Sequence, residues 1–207
     1  MNYKFIFLYL LPQDYKSCGA NEKRAKMTTI QLKEFIKTGK FGTISIGSTK
    51  TDIVNIFGKK FDFADCGETQ IIKYGWYEFF YWTKTELVFG IQNDHLQADC
   101  IDHNEMISFG NKSFEFDKWF LQDNKNVTFG QIEDYLNKEK ISFEVVHVYK
   151  GSDENIIKCT RSNVTFDFAN EYRLVELNEK GKFKNWKEYV EAEQSNFVLN
   201  GIRLFGI

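Results

Sequence analysis

Hydrophobic and polar positions change period along the chain, and the changes mark the elements. From Thr28 to Lys37, Ile30, Leu32, Phe35 and Ile36 stand among polar residues near helical spacing, and Gly39 follows as a stop. That pattern predicts a first helix. "ISIGSTKTDIVNIFG", Ile44 to Gly58, predicts a short strand, a Gly-Ser turn and a second helix. Thr49 takes the N-cap with Asp52 three positions on, Ile53, Val54, Ile56 and Phe57 form the apolar face, and Gly58 ends it. After Gly67 the period shortens to two. Thr69 to Lys73, Trp76 to Trp82 and Glu86 to Gln92 are β-rich runs, parted by Gly75 and by Thr83-Lys84-Thr85, which predicts an antiparallel meander.

A similar order recurs downstream. Val127 to Leu136 reads as a helix, with Thr128 and Gln131 at capping-box spacing and Ile132, Tyr135 and Leu136 as its stripe. Strand-like runs follow at Ser142 to Tyr149, Asn155 to Thr160, Asn163 to Phe168 and Tyr172 to Asn178. Ile71-Ile-Lys73 aligns with Ile156-Ile-Lys158, Phe80 and Trp82 with Phe166 and Phe168, and Leu87 to Ile91 with Arg173 to Leu177. Ile53 and Phe57 align with Ile132 and Leu136. The expected fold is therefore α+β: two repeated units, each a helix on a three- to four-stranded antiparallel meander. Asn185 to Gln194 adds a C-terminal helix with Trp186, Tyr189 and Val190 on one face. The organisation expected is an N-terminal extension (1–27), a first unit (28–105), a connector (106–126) and a second unit (127–207). Within the connector, Phe114 to Leu121 suits either a strand or a short helix.

Composition adds limits. A chain of 207 residues buries roughly 70% of its unfolded surface, so its core needs no metal or disulfide staple. Its four cysteines, Cys18, Cys66, Cys100 and Cys159, form no CxxC pair, which reads as reduced thiols in a cytoplasmic protein. Net charge is −2 with acids and bases interleaved, so nothing here offers the basic stripe that nucleic acid requires. Phe5 to Leu11 is apolar and Cys18 follows it, but the run is too short to span a bilayer, and charge stands where a cleavage site wants small residues. The chain is expected to avoid membranes unless this segment is a lipoprotein signal; Met27 is an alternative start.

The densest set of potential ligands is "NDHLQADCIDH", Asn93 to His103, which gathers His95, Cys100 and His103 with three aspartates. Zinc needs about four convergent donors, and His95 and Cys100 differ in strand parity. No metal, cofactor or catalytic residue is assigned. No phosphate-cradling loop is present either, since Gly39-Lys-Phe-Gly42 lacks the spacing. What remains is aromatic excess on a strand. Alternation puts Trp76, Glu78, Phe80 and Trp82 on one face and Tyr77, Phe79 and Tyr81 on the other. Tyr and Trp dominate protein contacts, so Tyr77, Phe79 and Tyr81 are the expected partner surface, with Trp76 and Trp82 beside them.

Gly47, Ser48, Thr49, Asp52, Ile53, Val54, Phe57 and Gly58, followed by Tyr74, Tyr77, Phe79 and Tyr81, resemble one bacterial unit. It is the repeat of the small outer-membrane-assembly lipoproteins (SmpA/OmlA type) and of the beta-lactamase inhibitor proteins. The tandem arrangement is more similar to the inhibitors. The chain departs from the pattern at Lys59, where a proline is expected, and at Thr128-Phe-Gly130 in the second copy. The resemblance implies a concave sheet used for protein contact and no catalytic residues. The expected function is non-enzymatic protein binding, of the immunity or inhibitor type that neutralises a bacterial toxin or enzyme. The alternatives are an envelope lipoprotein anchored through Cys18 that assists membrane-protein assembly, and a metal- or thiol-dependent enzyme using Cys100 and His103.

Overall fold

The computed structural model describes residues 28–94, 96, 110, 114–121, 127–152, 154–169, 171–177, 183–191 and 193–206. The first apolar segment divides in two: Thr28–Gln31 is a strand (β1) and only Leu32–Thr38 is helical (α1). Gly39 ends it as expected, with φ 73 and its N–H donated to the Phe35 carbonyl. The strand expected at Ile44 is reduced to a single bridge between Phe41 and Ile44.

The second helix, α2 (Lys50–Phe57), begins in a complete capping box. The Asp52 N–H donates to Thr49 Oγ1 and the Thr49 N–H donates to the Asp52 carboxylate at 2.8 Å. Four antiparallel strands follow: β2 (Asp62–Asp65), β3 (Thr69–Tyr74), β4 (Tyr77–Trp82) and β5 (Val88–Asn93). The connector supplies both alternatives the sequence left open. Phe114–Asp117 is a strand (β6) that pairs in parallel with β1, and Trp119–Leu121 is a 3-10 turn.

The third helix, α3 (Phe129–Lys138), repeats the capping box with Thr128 and Gln131. After it come β7 (Phe143–His147), β8 (Asn155–Cys159) and β9 (Thr165–Ala169). Next, β10 (Glu171–Leu177) and β11 (Phe183–Glu191) pair antiparallel as a separate two-stranded ladder. The C-terminal helix expected over Asn185 to Gln194 is therefore a strand for most of its length. Phe183, Trp186, Tyr189 and Val190 have strand propensity, and a ladder partner decides in its favour. The final strand, β12 (Val198–Phe205), returns to the large sheet.

That sheet has eight strands in the order β2-β3-β4-β5-β12-β9-β8-β7. Its two halves share register position by position. Phe79 is opposite Ile72 and Ile91, and Phe166 is opposite Ile157 and Ile202. A register shift falls between Phe80 and Tyr81 in one half and between Leu199 and Gly201 in the other. Both N-cap threonines form bridges at the start of the fourth strand of their half, Thr49 to Leu87 just before β5 and Thr128 to Val198 in β12. The halves meet at β5 and β12, where Gln92 faces Arg203 and the pairs Asn93–Ile202 and Ile91–Leu204 flank it. The counterpart of β5 is thus β12, not the segment from Arg173 to Leu177, and Phe79 rather than Phe80 corresponds to Phe166. The first is hidden in the sequence because the β10–β11 hairpin separates β9 from β12; the second arises because the β8–β9 connection is longer than the β3–β4 turn.

Among the described residues, all three helices and the β1–β6 ladder pack on one face of this sheet. Phe57 of α2 meets Tyr74, Phe79 and Phe114 with ring centres 4.8–5.2 Å apart. Phe129 of α3 meets Phe168 at 4.7 Å. Ser162, in the turn after β8, donates to the Ile36 carbonyl at 2.6 Å, tying α1 to the second half. Each buried Phe, Leu or Ile in this layer contributes about 1.5–3 kcal/mol.

Candidate functional site

Strand alternation fixes which aromatics of β4 belong to the core. Tyr77 pairs with Asn93, Phe79 with Ile91 and Tyr81 with Val88, all on the helix side. Tyr77 is 3% exposed, and Phe79 and Tyr81 are fully buried. Phe41 and Phe116 cover Tyr77 at 5.2 and 4.7 Å, and burial drives the Tyr77 phenol far above its ordinary range. These three residues are core, so they do not form the expected partner surface. The two faces are reversed because Ile72, Tyr74 and Ile91 share their side and require the helices there.

Trp76 and Trp82 separate. Trp76 sits at the β3–β4 turn with the Lys73 ammonium 3.8 Å from its ring centre. Trp82 is 44% exposed on the open face and stacks on Phe89 at 4.4 Å. Phe80 and Phe205 complete that patch, 5.4 Å apart, and Phe205 is 40% exposed. The packing has a clear cause. Gly90 stands between Phe80 and Phe205 across the strands, and a Cβ on it would come within 2.3 Å of the Phe205 ring. The absent side chain lets the Phe205 ring lie flat over the sheet, while the register shift beside Tyr81 leaves Phe89 as an extra residue on β5.

The corresponding positions of the other half carry charge instead. There Gly201 takes the place of Gly90, and Asp167, Asp94 and Asn200 those of Phe80, Phe205 and Phe89. Arg203 reaches both carboxylates. Its Nη2 donates to Asp94 Oδ1 at 2.9 Å, and its Nε lies 3.0 Å from Asp167 Oδ1 with the N–H aimed off that line. Asn200 Nδ2 donates to the other Asp167 oxygen at 2.7 Å. Burial raises the Asp167 pKa, and the Arg203 charge and Asn200 oppose that rise. At this partial exposure the cluster contributes about 1 kcal/mol or less per ion contact.

Between the aromatic and acidic zones a polar row crosses the whole sheet, from Asp62 at one edge to Glu144 at the other. Arg203 belongs to this row and reaches out of it to Asp94 and Asp167, and other charges pair within it. Lys73 lies 3.7 Å from Glu78, Gln92 donates to Glu78 at 2.7 Å, and Lys158 lies 3.7 Å from Glu144. Among the described residues the open face therefore offers one uncovered aromatic zone beside a largely paired polar surface, which is the composition of a protein contact.

Other chemistry is less supported. Burial pushes the Cys159 thiol up to about 12, which leaves it unreactive at neutral pH. Cys66 is an exposed thiol in the β2–β3 turn. His95, Cys100 and His103 lie outside the described residues, as do Cys18 and the segment Phe5 to Leu11. Among the described residues no group of three or more His, Cys, Asp or Glu side chains can hold a metal, and no helix is long and apolar enough to cross a membrane. Phe89, Phe205 and the Arg203 cluster were not singled out from sequence; the glycines Gly90 and Gly201 within β-rich runs were their available signal. Comparison with family models, curated proteins and solved structures finds no match to this chain.

Proposed function

We propose that the chain is a non-enzymatic binding protein that neutralises a bacterial toxin or enzyme in the cytoplasm by docking it on the open sheet face. The observation that carries this reading is the patch of Phe80, Trp82, Phe89 and Phe205, uncovered among the described residues on the side away from the helices. An apolar zone of this kind, bordered by self-paired charges, supplies contact energy without demanding a strongly charged partner. The matching registers of the two halves support descent from one duplicated helix-plus-four-strand unit. On that reading, one copy of the face has kept aromatic contacts and the other has become an ion cluster.

The test is titration calorimetry of the purified chain against the product of an adjacent toxin-like gene, with the partner's activity assayed in parallel. Saturable binding that inhibits the partner is expected. Trp82→Ala and Phe205→Ala should each weaken it by about 2 kcal/mol, roughly 30-fold, as central aromatic anchors do. Full-strength binding by the double variant would refute the assignment of this face.

A further inference from the structure

We propose that β7 is the seam of a two-fold homodimer, in which two copies join their large sheets edge to edge. The two outermost strands, β2 and β7, occupy corresponding positions: Asp62 faces Lys73 as Glu144 faces Lys158. Their chemistry has diverged. β2 is four residues long and carries Asp62 and Asp65, so pairing with another β2 would gather like charges, a common protection of sheet edges. β7 has no such guard. It reads Phe143-Glu-Val-Val-His147, gives way to a bend at Val148 and Tyr149, and exposes Val145 (42%), Val148 (46%) and Tyr149 (67%).

Backbone geometry shows which groups are on offer. The Thr160 N–H donates to the Ser142 carbonyl and the Val148 N–H to the Glu154 carbonyl. By antiparallel alternation, even-numbered residues of β7 bond inward to β8, and the N–H and C=O groups of Phe143, Val145 and His147 point away from it. Among the described residues no strand lies beyond them.

A second copy fits this edge because an antiparallel pair about a two-fold axis is self-complementary. With the axis at Val146, Val145 of each copy exchanges hydrogen bonds with His147 of the other. Phe143 then comes opposite Tyr149 in the bend that closes β7, where the Tyr149 carbonyl already accepts from the Ser152 N–H, and Glu144 comes near Lys150 of the same turn, an opposite charge. The guarded β2 edge stops further growth, so the assembly closes at two.

Sedimentation velocity of the full chain across micromolar concentrations tests this, with circular dichroism verifying that each variant is folded. Val145→Pro removes one outward N–H that the fold itself does not use, and Phe63→Pro does the same on β2. A dimer is expected whose dissociation constant rises at least 100-fold with Val145→Pro and is unchanged by Phe63→Pro or Trp82→Asp. A chain that stays monomeric to high concentration overturns the proposal. So does a dimer that survives Val145→Pro, or one that dissolves with Trp82→Asp. If Val145→Pro unfolds the chain, hydrogen exchange decides: concentration-dependent protection of the Phe143, Val145 and His147 amides supports the seam, and its absence overturns it.

Discussion

Lys140 follows α3 with φ 54, in the left-handed region that glycine usually fills. The surrounding bonds are those of a Schellman motif: the Ile141 N–H donates to the Leu136 carbonyl at 2.9 Å and the Lys140 N–H to the Asn137 carbonyl at 3.0 Å. At the end of α1 the left-handed position is a true glycine, and a Cβ on Gly39 would sit 3.2 Å from the Ser162 carbonyl oxygen. Lys140 has no such close approach to require a glycine but still bears the conformational cost of its side chain. Lys140→Gly is predicted to raise unfolding stability by about 0.5–1 kcal/mol, read as a higher urea midpoint at unchanged slope. An unchanged or lower midpoint would contradict this account of the motif.

The two helices with capping boxes differ in one titratable group. Asp52 closes the box of α2 and Gln131 that of α3. The Thr49 backbone bond, then the Thr49 side chain, holds the Asp52 carboxyl below its usual range. Its folded pKa is depressed, so its support is present above the unfolded carboxylate value and is lost as pH falls through the folded one. Thr49→Ala and Thr128→Ala are each predicted to cost about 1 kcal/mol at neutral pH. In acid the Thr49→Ala penalty should shrink while the Thr128→Ala penalty persists, as denaturant titrations at the two pH values would show.

Local signals of this kind were legible in the chain: both capping boxes, the Gly39 stop and the β3–β4–β5 meander appear where pattern puts them. The unread features depend on residues distant in sequence. Alternation along β4 gave two faces correctly, but Phe41, Phe57 and Phe116 decide which one is covered. Likewise the stretch from Phe183 to Glu191 has enough apolar spacing for a helix, and only its β10 partner makes it a strand. The Phe205 side of the patch was invisible for the same reason, because β12 reaches β5 only after the hairpin.

At the scale of the molecule, the pairing of β5 with β12 turns two four-stranded halves into one eight-stranded sheet with, among the described residues, a covered and an open face. The junction places Gln92 opposite Arg203, so the aromatic and acidic zones fall on either side of the same polar row. On the proposed function a partner covers the aromatic zone, and hydroxyl-radical footprinting of the chain, free and bound to the partner it inhibits, reads that coverage residue by residue. Labelling of Trp82, Phe89 and Phe205 should fall several-fold in the complex, while Phe63, 50% exposed on the β2 edge, stays labelled. Unchanged labelling of Trp82 and Phe205 in a saturated complex would contradict the account.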